Sequence, residues 1–479
     1  MKQFWAILIC LIMLISIIAC GTSGEKSEGE KSGNSETTET TVFELKPNLP
    51  EKNFNGDTFT FATRGVAYDN WECFECFIES ETGEPVNDAV YQRNMIIEDR
   101  YNVKIRETKF AANMEKTLYN SVMAGENFYN AVMLRGVDSA YLAENNVLLD
   151  LGTIKYIELS NPWWDQNSNK GFSIGGRIFF TACDIGYSDK DGSWIMAFNK
   201  RILDNNSLES PYNIVRDNRW TMDKLYEMGK VASKDLDGDG NMKLTDLWGI
   251  ASESFDTYAL LFAGGERIFK NNAEGYPELV VYNERSVQVV EKYMTMVKDK
   301  DNYVITLAGQ SPFVSGRALF MSTTLYSVRL YWRDLDDDFG IIPVPKFDSN
   351  QEDFHHIVSI GYSGAMISVL MTSPNLELTG IILEDLAYES SKILIPTYVN
   401  TCYNNKFLRD AESIEMLKLL LGSRVFDFSI SYNWGDWTTY FTGLTASSNV
   451  NLASEYEKRA DKTREAMNQT IDIYKNLNK

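Results

Sequence analysis

The chain has 479 residues, 44% of them apolar and 13% aromatic, which is ample for sizeable cores and excludes wholesale disorder. That length corresponds to roughly two or three domains. Its 46 lysines and arginines stand against 67 acids, a net charge of −21, which opposes phosphate-backbone binding and leaves no broad basic surface for anionic lipid. No nucleic-acid partner is expected. Only two histidines occur, adjacent at His355 and His356, which disfavours His-based zinc sites and leaves one place for a His-based triad to start.

Met1-Lys2 is followed by an apolar run from Phe4 to Ile18 and then Ala19-Cys20-Gly21. The run is too short and too early for a spanning helix and reads as a secretion signal, residues 1–20. Ile17-Ile18-Ala19-Cys20 resembles a bacterial lipobox, in which Cys20 becomes the lipidated first residue of the mature chain. An ordinary signal peptide with a chance cysteine is the competing reading. Residues 21–54 form a tether, because Gly21 to Thr41 is rich in Thr, Ser, Gly, Glu and Lys and has no aromatic residue to bury. The expected address is the extracellular face of a bacterial membrane, reached through a lipid on Cys20. Beyond the leader, Cys73 and Cys76 have the spacing of a redox or metal pair, but no second pair or nearby His completes a zinc site. With Cys183 and Cys402 they read as thiols without chemistry, a disulfide between Cys73 and Cys76 being the alternative.

From Asp57 the pattern alternates. Thr58–Thr63 reads as a strand ending in Arg64-Gly65, Val86–Tyr101 as a helix and Asn102–Arg106 as a strand. Met114–Met123 is helical, Tyr129–Leu134 a strand and Ser139–Asn145 a short helix. Such alternation predicts an α/β fold with a mostly parallel sheet, whose ligands sit beyond the carboxyl ends of the strands. Arg64, Arg135 and Asp138 lie there, although any one of them is also read as a solvated side chain. Arg177–Ala182 and Trp194–Phe198 are further strands, and Thr221 caps a helix over Met222–Ser233. Val287–Met296 is helical, Ala318–Ser322 a strand, and the run Phe339 to Pro345 a short strand stopped by its two prolines, Pro343 and Pro345. The remainder is largely helical: Leu376–Lys392, Ala411–Leu421 and Leu452–Asn476.

The most specific short motif runs from Asp235 to Asp246. Asp235, Asp237, Asp239 and Asp246 stand at positions 1, 3, 5 and 12, Gly240 at 6, and the Asn241 carbonyl fills position 7. Alternate side chains of a tight loop converge, so four carboxylates without a cation would repel one another; a structural calcium ion is expected. Asp246 replaces the usual Glu, as in dockerin loops, but only one copy occurs. An acidic surface turn without metal is the alternative.

Together, several segments resemble the extracellular solute-binding proteins of sugar-importing ABC transporters, family 1. They are the lipobox and tether, Asn87-Asp88-Ala89-Val90-Tyr91-Gln92-Arg93-Asn94 running to Tyr101-Asn102-Val103, Pro162-Trp163-Trp164-Asp165 before Gly176-Arg177-Ile178-Phe179-Phe180, and Phe198-Asn199-Lys200. Trp220-Thr221-Met222-Asp223, Trp248-Gly249-Ile250, Phe313 to Met321 and Phe339 to Lys346 follow in order. The resemblance implies two α/β lobes with hinge crossovers and a helical C-terminal region, closing on a sugar. The first lobe is expected over 55–182 and again over 317–370, the second over 183–316 and 371–479. Crossovers are expected near Phe180–Cys183, Arg317–Met321 and Ser368–Thr372. A monomer is expected, which captures an oligosaccharide and passes it to membrane permease subunits.

A sugar needs aromatic platforms beside charged or amide groups. Trp434, Asp436 and Trp437 form a compact version of that pattern, and the resemblance brings a stacking Trp into the cleft from this segment. Both indoles read equally well as core. Asp184 and Tyr187 follow the first crossover; Trp332 and Tyr362 are further candidates, while Trp163 and Trp164 read as packing. The chain lacks a phosphate-binding Gly-x-x-x-x-Gly-Lys motif, so ATP hydrolysis is left to other subunits and no catalysis is expected. Competing readings are a secreted glycosidase, for which 67 acids make candidate carboxylate pairs inevitable, and a surface adhesion or scaffold protein.

Overall fold

The computed structural model describes residues 45–476 apart from 333–334, 362–363, 402–409 and 448–449. The strands, in chain order, are β1 Asp57–Arg64, β2 Val103–Phe110, β3 Ala131–Leu134, β4 Thr181–Ala182, β5 Trp194–Asn199, β6 Trp248–Ser252 and β7 Phe269–Asn271. They continue with β8 Pro277–Leu279, β9 Tyr303–Ile305, β10 Ala318–Thr324, β11 Phe339–Ile342, β12 His356–Ile357, β13 Met366–Ser368 and β14 Arg424–Val425.

Two five-stranded sheets result. The first has the order β2-β1-β3-β13-β4, the second β11-β5-β10-β6-β9. In the first, β1 runs parallel to β2 and β3, with Asp57 opposite Val103 and Phe61 opposite Ala131, and β13 returns antiparallel. In the second, β6 runs parallel to β9 and β10, while β5 is antiparallel to β10 and β11. Burial follows position. On the edge strand β2, Val103 and Ile105 are buried while Lys104 and Arg106 are exposed, whereas every residue of the interior strands β3 and β5 is buried.

The helix Pro85–Tyr101 starts at Pro85, with the Glu84 carboxylate accepting from the Val86 and Asn87 amides, and ends at Asn102 in the left-handed region at φ 47°. It packs beside the helix Leu376–Lys392. Arg93, fully buried, ties this layer to the chain leaving the first sheet: its guanidinium donates to the Ile185 carbonyl at 3.1 Å, Ser390 Oγ at 2.9 Å and the Glu75 carbonyl at 2.8 Å. Among the described residues no helix is long and apolar enough to cross a membrane.

The α/β alternation read from the sequence is found, with two corrections to the expected path. The chain leaves the first sheet after β4 and enters the second at β5, close to the expected first crossover. The expected return at Arg317–Met321 does not occur: β10 lies inside the second sheet, between β5 and β6. Its run Ala318-Leu319-Phe320-Met321 is buried on both faces, a pattern shared by a crossover strand and an interior strand. The chain rejoins the first sheet only between β11 and β13. The helix Leu376–Lys392, expected in the second lobe, packs against β1 and Pro85–Tyr101 in the first. Of the later segments, the helix Ala411–Gly422 packs on β11, and Leu452–Asn476 touches both β8 and the helix Gly136–Glu144.

Candidate ligand-binding site

The strand-end loops of the two sheets approach one another. On the first sheet β1 ends at Arg64, and Gly65 leads into the 3-10 turn Val66–Trp71. Beside it, β3 ends at Leu134 and Arg135 enters the helix Gly136–Glu144. The Arg135 guanidinium grips Asp138 with two bonds, Nε to Oδ2 at 2.7 Å and Nη2 to Oδ1 at 2.8 Å. It also lies 5.6 Å from the Tyr68 ring centre. The hydrogen bonds to Asp138 raise the arginine's pKa further, so this charge is fixed. Gly136 leaves little space: a Cβ would stand 2.5 Å from Ile360 Cδ1 and 2.7 Å from Ser431 Oγ, so those side chains would have to move.

On the second sheet β6 ends at Ser252, followed by Glu253 and Phe255, while β10 ends at Thr324 opposite Trp194. The Phe255 ring lies 5.1 Å from Trp194 and 4.8 Å from Tyr258, and remains partly exposed. Below it Asp256, buried, accepts from the Trp194 indole N–H, Ser322 Oγ and the Tyr303 hydroxyl. Glu253 accepts from Thr323 Oγ1, and burial holds its carboxyl above the usual range. The two rims touch where Trp71 stacks on Tyr326, ring centres 3.9 Å apart and planes 18° from parallel. Partly exposed rings, a fixed cation and acids thus line two facing strand-end edges, the place where an α/β sheet receives ligands.

No protein-family model and no curated protein matches the sequence. Solved structures do match. One is an ABC substrate-binding protein from Listeria monocytogenes in complex with cycloalternan, at 14% identity and TM-score 0.52, covering 88% of this chain and 99% of that one. A cyclo/maltodextrin-binding protein complexed with maltotetraose matches at 14% identity and TM-score 0.56, over 88% and 97% of the two chains. A sugar transporter protein from Rhizobium etli in an open conformation matches at 13% and 0.55, over 87% and 99%. This chain has the fold of a two-lobe solute-binding protein.

Within that solute-binding fold the residues singled out from sequence divide. Arg135 and Asp138 stand together at the first lobe's rim. Arg64 does not reach it: the side chain is buried and Nη2 donates to the Gly364 carbonyl at 3.0 Å, a close approach that only a glycine permits, since a Cβ there would meet Arg64 Cζ at 2.3 Å. Asp184 and Tyr187 lie on the crossover between the sheets. Asp184 faces Lys190 Nζ at 3.3 Å, and the Tyr187 ring stacks on Tyr398 at 4.6 Å while its backbone N–H donates to Glu75.

Three tryptophans are corrections. Trp332 is buried between Phe313 and Phe339. Trp434 stacks on Tyr432 and Phe428 with its N–H on Thr470 Oγ1, and Trp437 donates to Thr463 Oγ1, so both indoles are pinned beneath the C-terminal helix. A Trp next to Gly on a turn looks the same from sequence whether the ring points to a cleft or to a helix. Asp436 sits in the left-handed region at φ 56°, accepts from Asn433 Nδ2 at 3.0 Å, and is partly exposed. Tyr362, Cys402 and the lipidation candidate Cys20 lie outside the described residues. Tyr68, Trp71, Glu253, Phe255 and Tyr326 were missed; the strand-end rule applied to β6 and β10 as well as β1 and β3 points to them.

The loop expected to take calcium brings ligand oxygens of Asp235, Asp237 and Asp239 within 4.8 Å of one another. Gly238 and Gly240 supply its positive φ angles, 70° and 81°. Lys243 Nζ bonds Asp237 Oδ2 at 2.7 Å and also Asp239, and those bonds lower the pKa of both carboxyls. Asp246 does not join this group: buried, it accepts the Leu236 N–H at 3.0 Å and the Lys243 N–H at 2.7 Å, stapling the loop. Asn241 lies within the loop, its N–H on Asp239 Oδ1 at 2.8 Å.

Proposed function

We propose that this protein is an extracellular, lipid-anchored solute-binding protein that captures a carbohydrate, an oligosaccharide, between its two lobes and delivers it to the permease subunits of an ABC importer. The observation that carries the reading is the pair of facing strand-end rims, lined with partly exposed rings and fixed charges, in a fold shared with structures described as sugar-binding. A sugar offers hydroxyls around flat C–H faces. Tyr68 and Phe255 supply rings for the faces; the Arg135–Asp138 pair and Glu253 supply donors and acceptors for hydroxyls. Closure of the lobes removes water from these bonds and strengthens them. The task is binding and release, with no bond made or broken in the sugar.

The anchor in this proposal is a lipid on Cys20, with residues 21–54 as tether. Calcium is proposed as a structural clip on Asp235, Asp237 and Asp239 with the Asn241 carbonyl; Lys243 would yield its place to the ion, and Asp246 holds the loop shape. The test is thermal unfolding of the chain from Val42 onward against a panel of oligosaccharides, with calcium and with chelator. A ligand that binds only the folded state raises the midpoint. A rise with one sugar class and no product formed supports the proposal. No rise across the panel overturns the carbohydrate assignment, and product formation overturns the transport role.

A further inference from the structure

A cavity of about 900 Å3 lies away from the strand-end rims. It opens between the helix Gln166–Phe172, the β7–β8 hairpin, the loop at 353–355 and the segment running from the helix Ala411–Gly422 through β14. None of the rim residues lines it. Its wall carries four cations, Lys170, Arg267, Lys270 and Arg424, against two acids, Glu266 and Asp353. That is a local excess of positive charge in a chain whose net charge is −21.

Which of these charges is already engaged decides what the cavity can hold. Arg424 is committed to Asp189, at 2.6 Å from Nη1, and to Asp165. The Glu266 carboxylate accepts from Asn283 Nδ2 and Ser286 Oγ, each at 2.7 Å. Arg267 has only a bond from Nη1 to the Glu266 carbonyl at 2.7 Å, and no carboxylate of the described residues lies in ion-pair contact with it. Burial, partly offset by Asp427 and Glu266, holds its pKa below the usual arginine value, the mark of a guanidinium whose lost hydration is incompletely replaced. Lys170 and Lys270 are exposed and equally lack an ion-pair partner among the described residues. Burial and then Arg267 push His355 down to about 4, so at neutral pH it presents an uncharged ring.

We infer that this cavity is a second ligand site, separate from the strand-end cleft, for a small anion bearing a carboxylate or phosphate group, held by Arg267 with Lys170 and Lys270. A half-buried guanidinium with donors not taken up by the protein is completed by a planar or tetrahedral oxyanion, which neutralises it and accepts its remaining N–H groups. The phenyl rings of Phe269 and Phe354 leave room beside the charge for the body of an organic acid.

Calorimetric titration of the chain from Val42 onward, at low ionic strength, tests this with glucuronate, glucose 6-phosphate and neutral glucose as probes. One or both anions should bind at one site per chain and glucose should not. Arg267→Gln should weaken anion binding by at least about tenfold, because the half-buried charge that pairs with the anion is removed. Since Arg267 is half-buried, Lys170→Gln with Lys270→Gln serves as the second variant. Both lysines are exposed, so the fold is kept, and binding should weaken by about threefold and become less salt-dependent. Arg135→Gln should leave anion binding unchanged. The inference is overturned if neither anion binds, if the Arg267 variant binds as tightly as the parent, or if Arg135→Gln abolishes the titration, which would place the anion in the cleft.

Discussion

The Trp71 indole of the first lobe stacks on the Tyr326 ring of the second, with centres 3.9 Å apart and planes 18° from parallel. Each ring follows a strand end: Trp71 closes the 3-10 segment Val66–Trp71 after β1, and Tyr326 opens the helix Leu325–Tyr331 after β10. A ring pair of this kind contributes about 0.5–1.5 kcal/mol beyond buried area. It joins the two strand-end rims in this structure. Trp71→Ala and Tyr326→Ala should therefore weaken sugar binding about 2- to 10-fold; the buried Tyr326 also contributes to the core, so its variant should lower the unfolding midpoint of the ligand-free protein more than Trp71→Ala does. Calorimetry with scattering of the free and bound forms checks this; unchanged affinity in both variants would show that the stack takes no part in closure.

Arg135 presents a guanidinium already oriented by Asp138, so no ordering is needed when a hydroxyl arrives. Arg135→Gln should lower affinity for the cognate sugar by at least about tenfold, the consequence of leaving Asp138 without its cation at the rim. Gly136→Ala should lower both affinity and stability, the latter by about 1–3 kcal/mol, because its Cβ would meet Ile360 and Ser431. Isothermal titration and denaturant unfolding read the two effects separately.

The histidines make stability depend on pH. His356 is fully buried, its Nε2 accepting the Val344 N–H at 3.2 Å and its Nδ1 within 2.9 Å of Ser423 Oγ. Burial, then His355, hold its pKa at about 3, against an ordinary value near 6.5. The folded state thus binds this proton less readily than the unfolded chain. Its contribution is fully present above about pH 6.5 and is lost as pH falls toward 3, roughly 3–5 kcal/mol over the window. His356→Gln, which keeps an acceptor without the titration, should flatten the fall in melting temperature between pH 6.5 and 4. An unchanged slope would assign acid lability to the carboxylates.

For the acidic loop, calcium should raise the melting temperature of the parent and a chelator should lower it again, while Asp237→Asn with Asp239→Asn should abolish the response. Lys243→Gln should strengthen calcium binding, since the ammonium bridging Asp237 and Asp239 competes for the same oxygens. Thermal unfolding across a calcium titration distinguishes this from a loop held by Lys243 alone, for which the midpoint would ignore the ion and drop in the lysine variant.

The helices Met114–Met123, Leu376–Lys392 and Leu452–Asn476 are legible to the residue, because periodicity and caps such as Thr221 are local, and the strands at Thr58, Trp194 and Ala318 are legible to within two residues; Trp248–Ser252, Tyr303–Ile305 and Met366–Ser368 were not read as strands. Half of the first rim was legible too: Arg135 and Asp138 follow from the rule that ligands gather beyond strand ends. Glu384 was not. It accepts from the indoles of Trp163 at 3.0 Å and Trp164 at 2.8 Å, across a chain separation that leaves no local trace.

What the sequence determined by itself is therefore the alternation of strands and helices, the acidic loop, and the class of fold, all properties of neighbouring residues or of their order. Tertiary structure decided which sheet each strand joins and which way each large side chain points. Ala318 to Met321 is apolar enough for a crossover or an interior strand, and only pairing with β5 and β6 chooses. Trp434 and Trp437 carry the ring a sugar needs and the area a core needs, and the hydroxyls of Thr470 and Thr463 on a distant helix settle them inward. Burial and pairing are energies of contact between remote segments, and those contacts exist only once the chain has folded.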